Sequence, residues 1–566
     1  MNKIQQFDVI SLTESRLTST NRDLTLSLSE ARANEEVIQL ADGECLRRIR
    51  QITNHPYNPE ILADLLRQKK RISRRARTTE NAAEMKRVCE EIDKQTFIPE
   101  FVSVQFPKKA NYRKIGSSGF ALNGEKYIRL MCGAGHARTN RVMFVQKKIF
   151  KELDRFMRAG CNDIEIVLAK WNAYYALGGS ATLQVSAPRA AVIPDCNITR
   201  KHLVDFATPA EPQDTLERVE KELSFNLWDG MGLISPEMAQ KWGQEIGDDY
   251  IPGCFVIRNA FVKGLVATFD FHKFAHEKAG KTEITDIYGK TYNVDDLDVI
   301  LTESQFKLWR AYDSWDSYIG KITELGWHWG VTKAADSPSS LKRYMRTNYQ
   351  FLQVLQLSDR QLANLCRPTL DWLQSLMMPC EEDISKPLLY LLGKTADANI
   401  SSEELWNRIS DPFIRCLAIN PALIKDSYIQ NRIISSLNKR IRQAYMGRLM
   451  MDATYQFLVA DPYALCEYMF GMPINGLIPE HQCYNKHWQR FGASRVCVLR
   501  SPLTWRSEVN GVFLTNTEEA DEWYKYIDTG HIETIHGLDN MLAGGADEDG
   551  DCVLVTNNKS FWEGRA

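Results

Sequence analysis

The stretch Gly544-Gly545-Ala546-Asp547-Glu548-Asp549-Gly550-Asp551 sets three aspartates at alternate positions in a glycine-containing turn, directly before the apolar run Cys552-Val553-Leu554-Val555. Hard carboxylate oxygens converging from such a turn suit Mg²⁺, which keeps coordination sites for phosphate and water. Crowding that much negative charge ahead of a buried strand costs stability, and a bound cation offsets it. A calcium loop of the EF-hand kind needs glycine at its sixth position and glutamate at its twelfth. Counted from Asp547, those places hold Cys552 and Asn558, so that reading fails on spacing. An acidic surface turn between strands is the competing reading, and the companions of the triplet must decide between them.

Several cationic companions are available. Arg500 and Arg506 flank Ser501-Pro502-Leu503-Thr504-Trp505, and guanidinium forks suit phosphate and ribose oxygens. Lys263 precedes Gly264 at the start of an apolar run, which offers a point charge beside backbone that can approach an anion. Lys290, in Tyr288-Gly289-Lys290, is a second candidate phosphate contact. His272 and His276 stand one helical turn apart but lack the glutamate and third ligand of a zinc site, so they read as structural. A basic run from Arg67 through Lys69, Lys70, Arg71, Arg74 and Arg75 to Arg77 is ordinarily a solvated helix face, with nucleic-acid contact as the alternative.

The elements that must position these groups change in texture along the chain. Residues 1–110 look helical and charged, and 111–215 read as mixed strand and loop broken by glycine and proline. Strand-like segments follow at Cys254-Phe255-Val256-Ile257, at Gly264 to Phe269 and at Asp296 to Leu301. Thr302-Glu303-Ser304-Gln305 has the form of a capping box and predicts the start of a helical region. Further helix starts are predicted at Ser358-Asp359-Arg360-Gln361, at Ser401-Ser402-Glu403-Glu404 and at Asp461-Pro462, with helices filling most of 303–470. Strand texture returns after about 485, in Arg495 to Leu499, Gly511 to Leu514 and Cys552 to Val555.

At 566 residues, 44% hydrophobic and 25% charged, the chain has the composition of a soluble globular protein of several domains. A formal net charge of −2 gives no global basic field, so a nucleic-acid partner must be met by local clusters. The 13 cysteines are odd in number and free of any CxxC pair, which predicts reduced thiols and a cytoplasmic location. No apolar stretch is long enough to span a bilayer, so a membrane partner is not expected.

The segment from Ala546 to Asp551 resembles the DxDGD signature of the two-barrel RNA polymerases. That superfamily comprises multisubunit cellular enzymes, eukaryotic silencing RNA-dependent RNA polymerases and phage-encoded single-chain RNA polymerases. Arg500 to Arg506 is similar to the RxPxxxR stretch that precedes the aspartate signature in the multisubunit enzymes. Asp229-Gly230-Met231-Gly232-Leu233-Ile234-Ser235-Pro236 resembles the DGxGxxSP stretch of the silencing polymerases, and Ile257 to Gly264 their IRxxxxKG segment. Asn140 and Arg141 resemble part of an SNRVLR-like element that precedes the first barrel.

The resemblance implies an α+β fold: two double-psi β-barrels joined by a helical connector, with a helical N-terminal region. The implied boundaries are 1–110 for that region, 111–215 for mixed strand and loop, 216–302 for the first barrel, 303–485 for the connector and 486–566 for the second barrel. It implies a template-directed RNA polymerase acting on NTPs by a two-metal Mg²⁺ mechanism. Asp547, Asp549 and Asp551 would hold the metal, Lys263 would face the triphosphate, and Arg500, Arg506 and Lys290 would bind substrate. The acidic turn and Lys263 would then share one cleft. Partners would be a DNA or RNA template, the RNA product and NTPs. Two departures stand out. Gly545 replaces the asparagine that the multisubunit enzymes carry there, which favours the single-chain branch. The chain also stops at Ala566, where relatives continue with a long helical region. The alternative is therefore a nucleic-acid-binding subunit, or a fragment of a split polymerase that a second polypeptide completes.

Overall fold

The computed structural model describes residues 1–18, 24–73, 75, 78–107, 109–162, 164–209, 215–337, 344–377, 412–503, 505–539 and 545–565. The helix start expected at Ser401 to Glu404, together with Arg74, Arg77, Thr504 and Gly544, lies outside them. The chain divides into two compact units. The first is Met1–Asp195 with Gly230–Ala334, and the second is Cys196–Asp229 with Ala335–Ala566.

The first unit contains the helices expected near the N-terminus, including Glu44–Thr53, Pro59–Ile72 and Thr79–Thr96. It also contains strands that the charged texture hides. Gln6–Thr13 and Phe97–Gln105 run parallel as central neighbours in a six-stranded sheet. Their alternating Phe, Val, Ile and Leu side chains supply the buried face, as a period of two requires.

A seven-stranded sheet forms the other half of this unit. Its neighbour order is Leu183–Val185, Trp329–Ala334, Cys254–Asn259, Val262–Thr268, Met231–Ile234, Val299–Thr302 and Ala190–Ile193. The four strands that fall inside 216–302 are thus joined by strands from either side of that range. Cys254–Asn259 and Val262–Thr268 form a hairpin whose register pairs Asn259 with Val262 and Arg258 with Lys263. Phe261 in its two-residue turn takes φ +58°.

Gln305 ties this sheet together and explains why the predicted helix start is only a turn. Its amide oxygen accepts from the Thr302 N–H at 3.0 Å and its amide nitrogen donates to the Leu265 carbonyl at 2.9 Å. The Thr302 hydroxyl donates instead to the Met231 carbonyl. Gln305 thus makes the expected capping bond to Thr302, but its other end and the Thr302 hydroxyl are spent on strands, and the helical turn stops at Glu303–Gln305. The next α-helix is Trp315–Leu325. A Cβ added at Gly264 would overlap the Gln305 side chain and the Gly230 carbonyl, and one at Gly232 would overlap the Ile300 carbonyl. The glycines of the two quoted stretches therefore allow strands and one buried amide to pack closely.

In the second unit, Asn197–Thr208 and Thr215–Asn226 form a two-stranded antiparallel ribbon. The capping pair expected at Ser358 is present: the Ser358 N–H donates to Gln361 Oε1 at 2.9 Å, and the Gln361 N–H to Ser358 Oγ at 3.4 Å. It opens the helix Asp359–Met377. A closed barrel of six strands follows, in the neighbour order Thr454–Ala460, Ile532–Ile535, Gln482–Tyr484, Val509–Leu514, Arg495–Leu499 and Cys552–Thr556. Two of its six strand pairs are parallel and four antiparallel. Its first two strands in chain order lie before residue 486, amid the segment expected to be a helical connector.

The barrel core holds Leu458, Val496, Val498, Val512, Ile535, Val553 and Val555. Gln456, Glu533 and Asn485 lie two residues from core positions on their strands and face the same interior. The Asn485 amide donates to both Gln456 Oε1 and Glu533 Oε2. Burial pushes the Glu533 carboxyl up to about 7. Asp461, expected to start a helix with Pro462, caps Pro462–Met469 by accepting from the Tyr463 and Ala464 N–H groups. It also accepts from the Leu477 N–H and the Tyr524 hydroxyl, which pins the chain between the first two barrel strands.

Candidate active site

The three aspartates converge. One carboxylate oxygen from each of Asp547, Asp549 and Asp551 lies within 4.8 Å of the others. The turn that carries them is held at three points. Its end is fixed where the Leu458 N–H donates to the Asp551 carbonyl at 3.0 Å. Its middle is fixed where the Glu548 N–H donates to the Asp229 carbonyl at 2.9 Å. Its start is seated by Ala546 against the barrel core. Gly550 reverses the backbone between Asp549 and Asp551 with φ +118°, a conformation open to glycine.

Glu548 was not singled out from the sequence. The alternation that sends the aspartates one way turns Glu548 inward, where it is fully buried and neither carboxyl oxygen has a hydrogen-bond partner. Burial, reinforced by Asp229 and Asp547, pushes its carboxyl well above the usual carboxylate range. A charged group there would cost several kcal/mol, so burial favours the protonated form of Glu548. Its acidic identity concealed that burial, and only its place in the alternation hinted at it.

Arg500 joins the aspartates, with Nη2 2.9 Å from Asp551 Oδ2. The cause is strand register. Arg495–Leu499 pairs antiparallel with Cys552–Thr556 so that Leu499 faces Leu554, which brings the following Arg500 to the end where Asp551 sits. At 4.8 Å each carboxylate pair repels by about 1 kcal/mol in water and about 3 kcal/mol at an effective dielectric of 20. The all-oxygen donor set of three converging carboxylates fits Mg²⁺.

The other candidates stand elsewhere. Arg506 is exposed in the turn Arg506–Glu508 of the same unit. Lys263 and Lys290 belong to the first unit. Lys263 is half-buried on its strand opposite Arg258. Lys290 Nζ lies 2.6 Å from Asp316 Oδ2, so a phosphate contact there would have to displace a carboxylate. Arg141 donates to the hydroxyls of Ser11 and Ser103, and the Asn140 carbonyl accepts from the Phe106 N–H. His272 Nε2 contacts the Leu297 carbonyl and His276 Nε2 contacts Asp295. The two histidines therefore have separate partners, as a structural reading requires.

Comparison with known proteins now bears on this geometry. The model of the family described as RNA dependent RNA polymerase matches residues 66–564. The chain belongs to that family. It is 29% identical over 465 residues to the DNA-directed RNA polymerase YonO of Bacillus phage SPbeta, an alignment that covers 79% of this chain and 50% of YonO. Among solved structures it is similar to the RNA dependent RNA polymerase QDE-1 from Thielavia terrestris, with a TM-score of 0.53 and 16% identity over 82% of this chain and 50% of QDE-1. The chain thus spans about half the length of each of these relatives. Among the described residues, no helix is long and apolar enough to cross a membrane.

Proposed function

We propose that this chain carries the nucleotidyl-transfer centre of a two-barrel RNA polymerase and extends RNA from NTPs on a nucleic-acid template. The observation that carries the reading is the convergence of Asp547, Asp549 and Asp551 within 4.8 Å at the mouth of a closed six-stranded barrel. The mixture of parallel and antiparallel pairs in that barrel supports the double-psi assignment, and the glycine-bearing hairpin sheet of the first unit is its proposed counterpart. In this reading Asp547, Asp549 and Asp551 would hold Mg²⁺, which in a two-metal mechanism would supply activation of the RNA 3′ hydroxyl and charge neutralisation at the leaving pyrophosphate. Arg500 exchanges its contact with Asp551 for phosphate or ribose oxygens. Arg506 offers a second guanidinium on the same segment. Lys263 neutralises triphosphate charge, and Lys290 is a secondary contact that must first leave Asp316.

The names of the two relatives point to different templates, DNA for YonO and RNA for QDE-1. The test therefore supplies both. Purified chain is incubated with NTPs, Mg²⁺ and either a single-stranded DNA or a single-stranded RNA template, beside Asp549→Ala. Extension on one template, lost by about a thousandfold or more in the variant, assigns the enzyme and its template. No extension on either template defeats the reading for this chain alone. Rescue by a second polypeptide would recast it as one part of a split enzyme.

A further inference from the structure

The helices Pro59–Ile72 and Thr79–Thr96 are joined by six residues and pack on each other through a small core of their own, made of Leu62, Ile72, Val88 and Ile92 with Leu65 and Met85 beside it. So short a link makes them antiparallel neighbours, a helical hairpin. The charge along this hairpin is sorted. Toward the link, the first helix carries Arg67, which pairs with Asp64, then Lys69, Lys70 and Arg71, while Lys86 and Arg87 stand mid-way along the second, all of these cations being exposed. The acids of the same stretch are Glu80 and Glu84, and Glu84 already pairs with Arg75. Away from the link acids outnumber bases, with Glu60, Asp64, Glu90, Glu91 and Asp93 against Lys94, which pairs with Glu91.

Part of this pattern has an ordinary cause, since cations in a last helical turn offset the helix dipole. That accounts for Lys69, Lys70 and Arg71 on the first helix. It does not account for Lys86 and Arg87, which lie mid-way along the second. Arg67, Lys70 and Arg71 share one stripe by their i, i+3 and i+4 spacing and repel one another. Leu62, Leu65 and Ile72 occupy the opposite side of that helix. Lys86 and Arg87 likewise point away from Met85, Val88 and Ile92. Lys69 follows Leu65 by one turn, but the other cations point outward from the shared core, where a polyanion would offset the repulsion among them.

We propose that the basic end of this hairpin binds the phosphodiester backbone of nucleic acid, as an anchoring surface separate from the aspartate turn. The net charge of −2 for the whole chain makes such a local concentration of exposed cations the feature that charge complementarity selects. Contact through phosphates alone carries no base preference, so binding here is insensitive to sequence and steeply dependent on salt. The inference deepens the polymerase reading and rests on it for the identity of the polyanion.

The test uses the full chain, labelled single-stranded RNA and labelled duplex DNA as separate arms, and fluorescence anisotropy between ~50 and ~200 mM salt. Two variants are compared with the parent: Arg67→Ala/Lys69→Ala/Lys70→Ala/Arg71→Ala, and Lys86→Ala/Arg87→Ala. Because they alter different helices, a folding failure in one, seen by melting, leaves the other informative. The expected result is about a tenfold or greater loss of affinity for the first variant. The slope of log K against log salt should also become shallower by roughly 0.7 to 0.9 for each phosphate contact removed. Whichever arm shows the change identifies the form of nucleic acid bound. Unchanged affinity and slope in a folded variant, or no binding by the parent, would overturn the inference and leave the patch to a protein partner. Asp549→Ala separates this inference from the catalytic one, since it should lose extension while keeping hairpin-dependent binding.

Discussion

The Arg500 guanidinium sits 2.9 Å from the Asp551 carboxylate, so a cation of the protein occupies ground that the metal and the triphosphate would contest. Arg500→Ala should leave Mg²⁺ affinity unchanged or slightly tighter, because a competing positive charge has gone. The KM for NTP should rise about tenfold or more, in line with roughly 1.5–3 kcal/mol for a hydrogen bond to a charged group. Arg500→Lys should recover part of that loss, since it keeps the charge and loses the fork. Calorimetric Mg²⁺ titration and steady-state kinetics read the two effects separately. Weakened metal binding with an unchanged KM would reverse the assignment.

The crowded carboxylates predict a metal-dependent melting temperature. After chelation, adding Mg²⁺ should raise the melting point of the parent, by about 2.7 kcal/mol of stabilisation at a hundredfold excess over Kd. Asp549→Asn relieves the repulsion within 4.8 Å. Without metal it should therefore melt at or above the parent, and it should respond weakly to Mg²⁺. A variant that melts lower and still responds fully would remove Asp549 from the ligand set.

Glu533 predicts a pH dependence of stability. Its carboxyl is raised from an ordinary 4.5 to about 7 by burial, so the folded state holds a proton that the unfolded state releases. The associated stability is complete below about pH 4.5, falls as pH climbs toward 7 and then levels off. The total is on the order of 3 kcal/mol. Glu533→Gln keeps the acceptor for Asn485 and cannot ionise. It should be more stable than the parent at pH 8 and close to it at pH 5, as denaturant unfolding would show. Equal destabilisation at both pH values would mean that Glu533 carries no proton inside the barrel.

Gly264 predicts a steric effect. Alanine there would press on both the Gln305 amide and the Gly230 carbonyl, costing about 1–3 kcal/mol as overpacking does. Gln305→Ala should not rescue it, because the backbone obstruction remains and the amide bridge to Leu265 is lost. Thermal melts of the single and double variants check this, and a rescued double variant would locate the clash in the side chain alone.

The parts of the site that could be read from sequence were those whose chemistry is local. Three carboxylates within five residues declare themselves, and Arg500 follows a strand whose apolar content is plain. Pairing across long separations could not be read. Ala190–Ile193 runs beside Val299–Thr302 although nothing in either segment names the other. Thr454–Ala460 joins the barrel from within a helical stretch. Capping patterns were legible only where no tertiary partner competed. Ser358 and Gln361 cap a long helix, whereas Gln305 is drawn into the sheet. Glu548 was missed because an acid between two aspartates looks solvated until the alternation of the turn is known.

The strand after the aspartates, Cys552–Thr556, is bonded on one side to Thr454–Ala460 and on the other to Arg495–Leu499. It is therefore the last stave of the barrel to leave the ribosome, and both neighbouring edges stay open until it arrives. The nascent chain must shield those edges from wrong pairing, the hazard that unpaired strands carry. The end of the acidic turn is fixed by that closure, through the Leu458 N–H and the Asp551 carbonyl, so a partly synthesised chain lacks the convergence of the three aspartates.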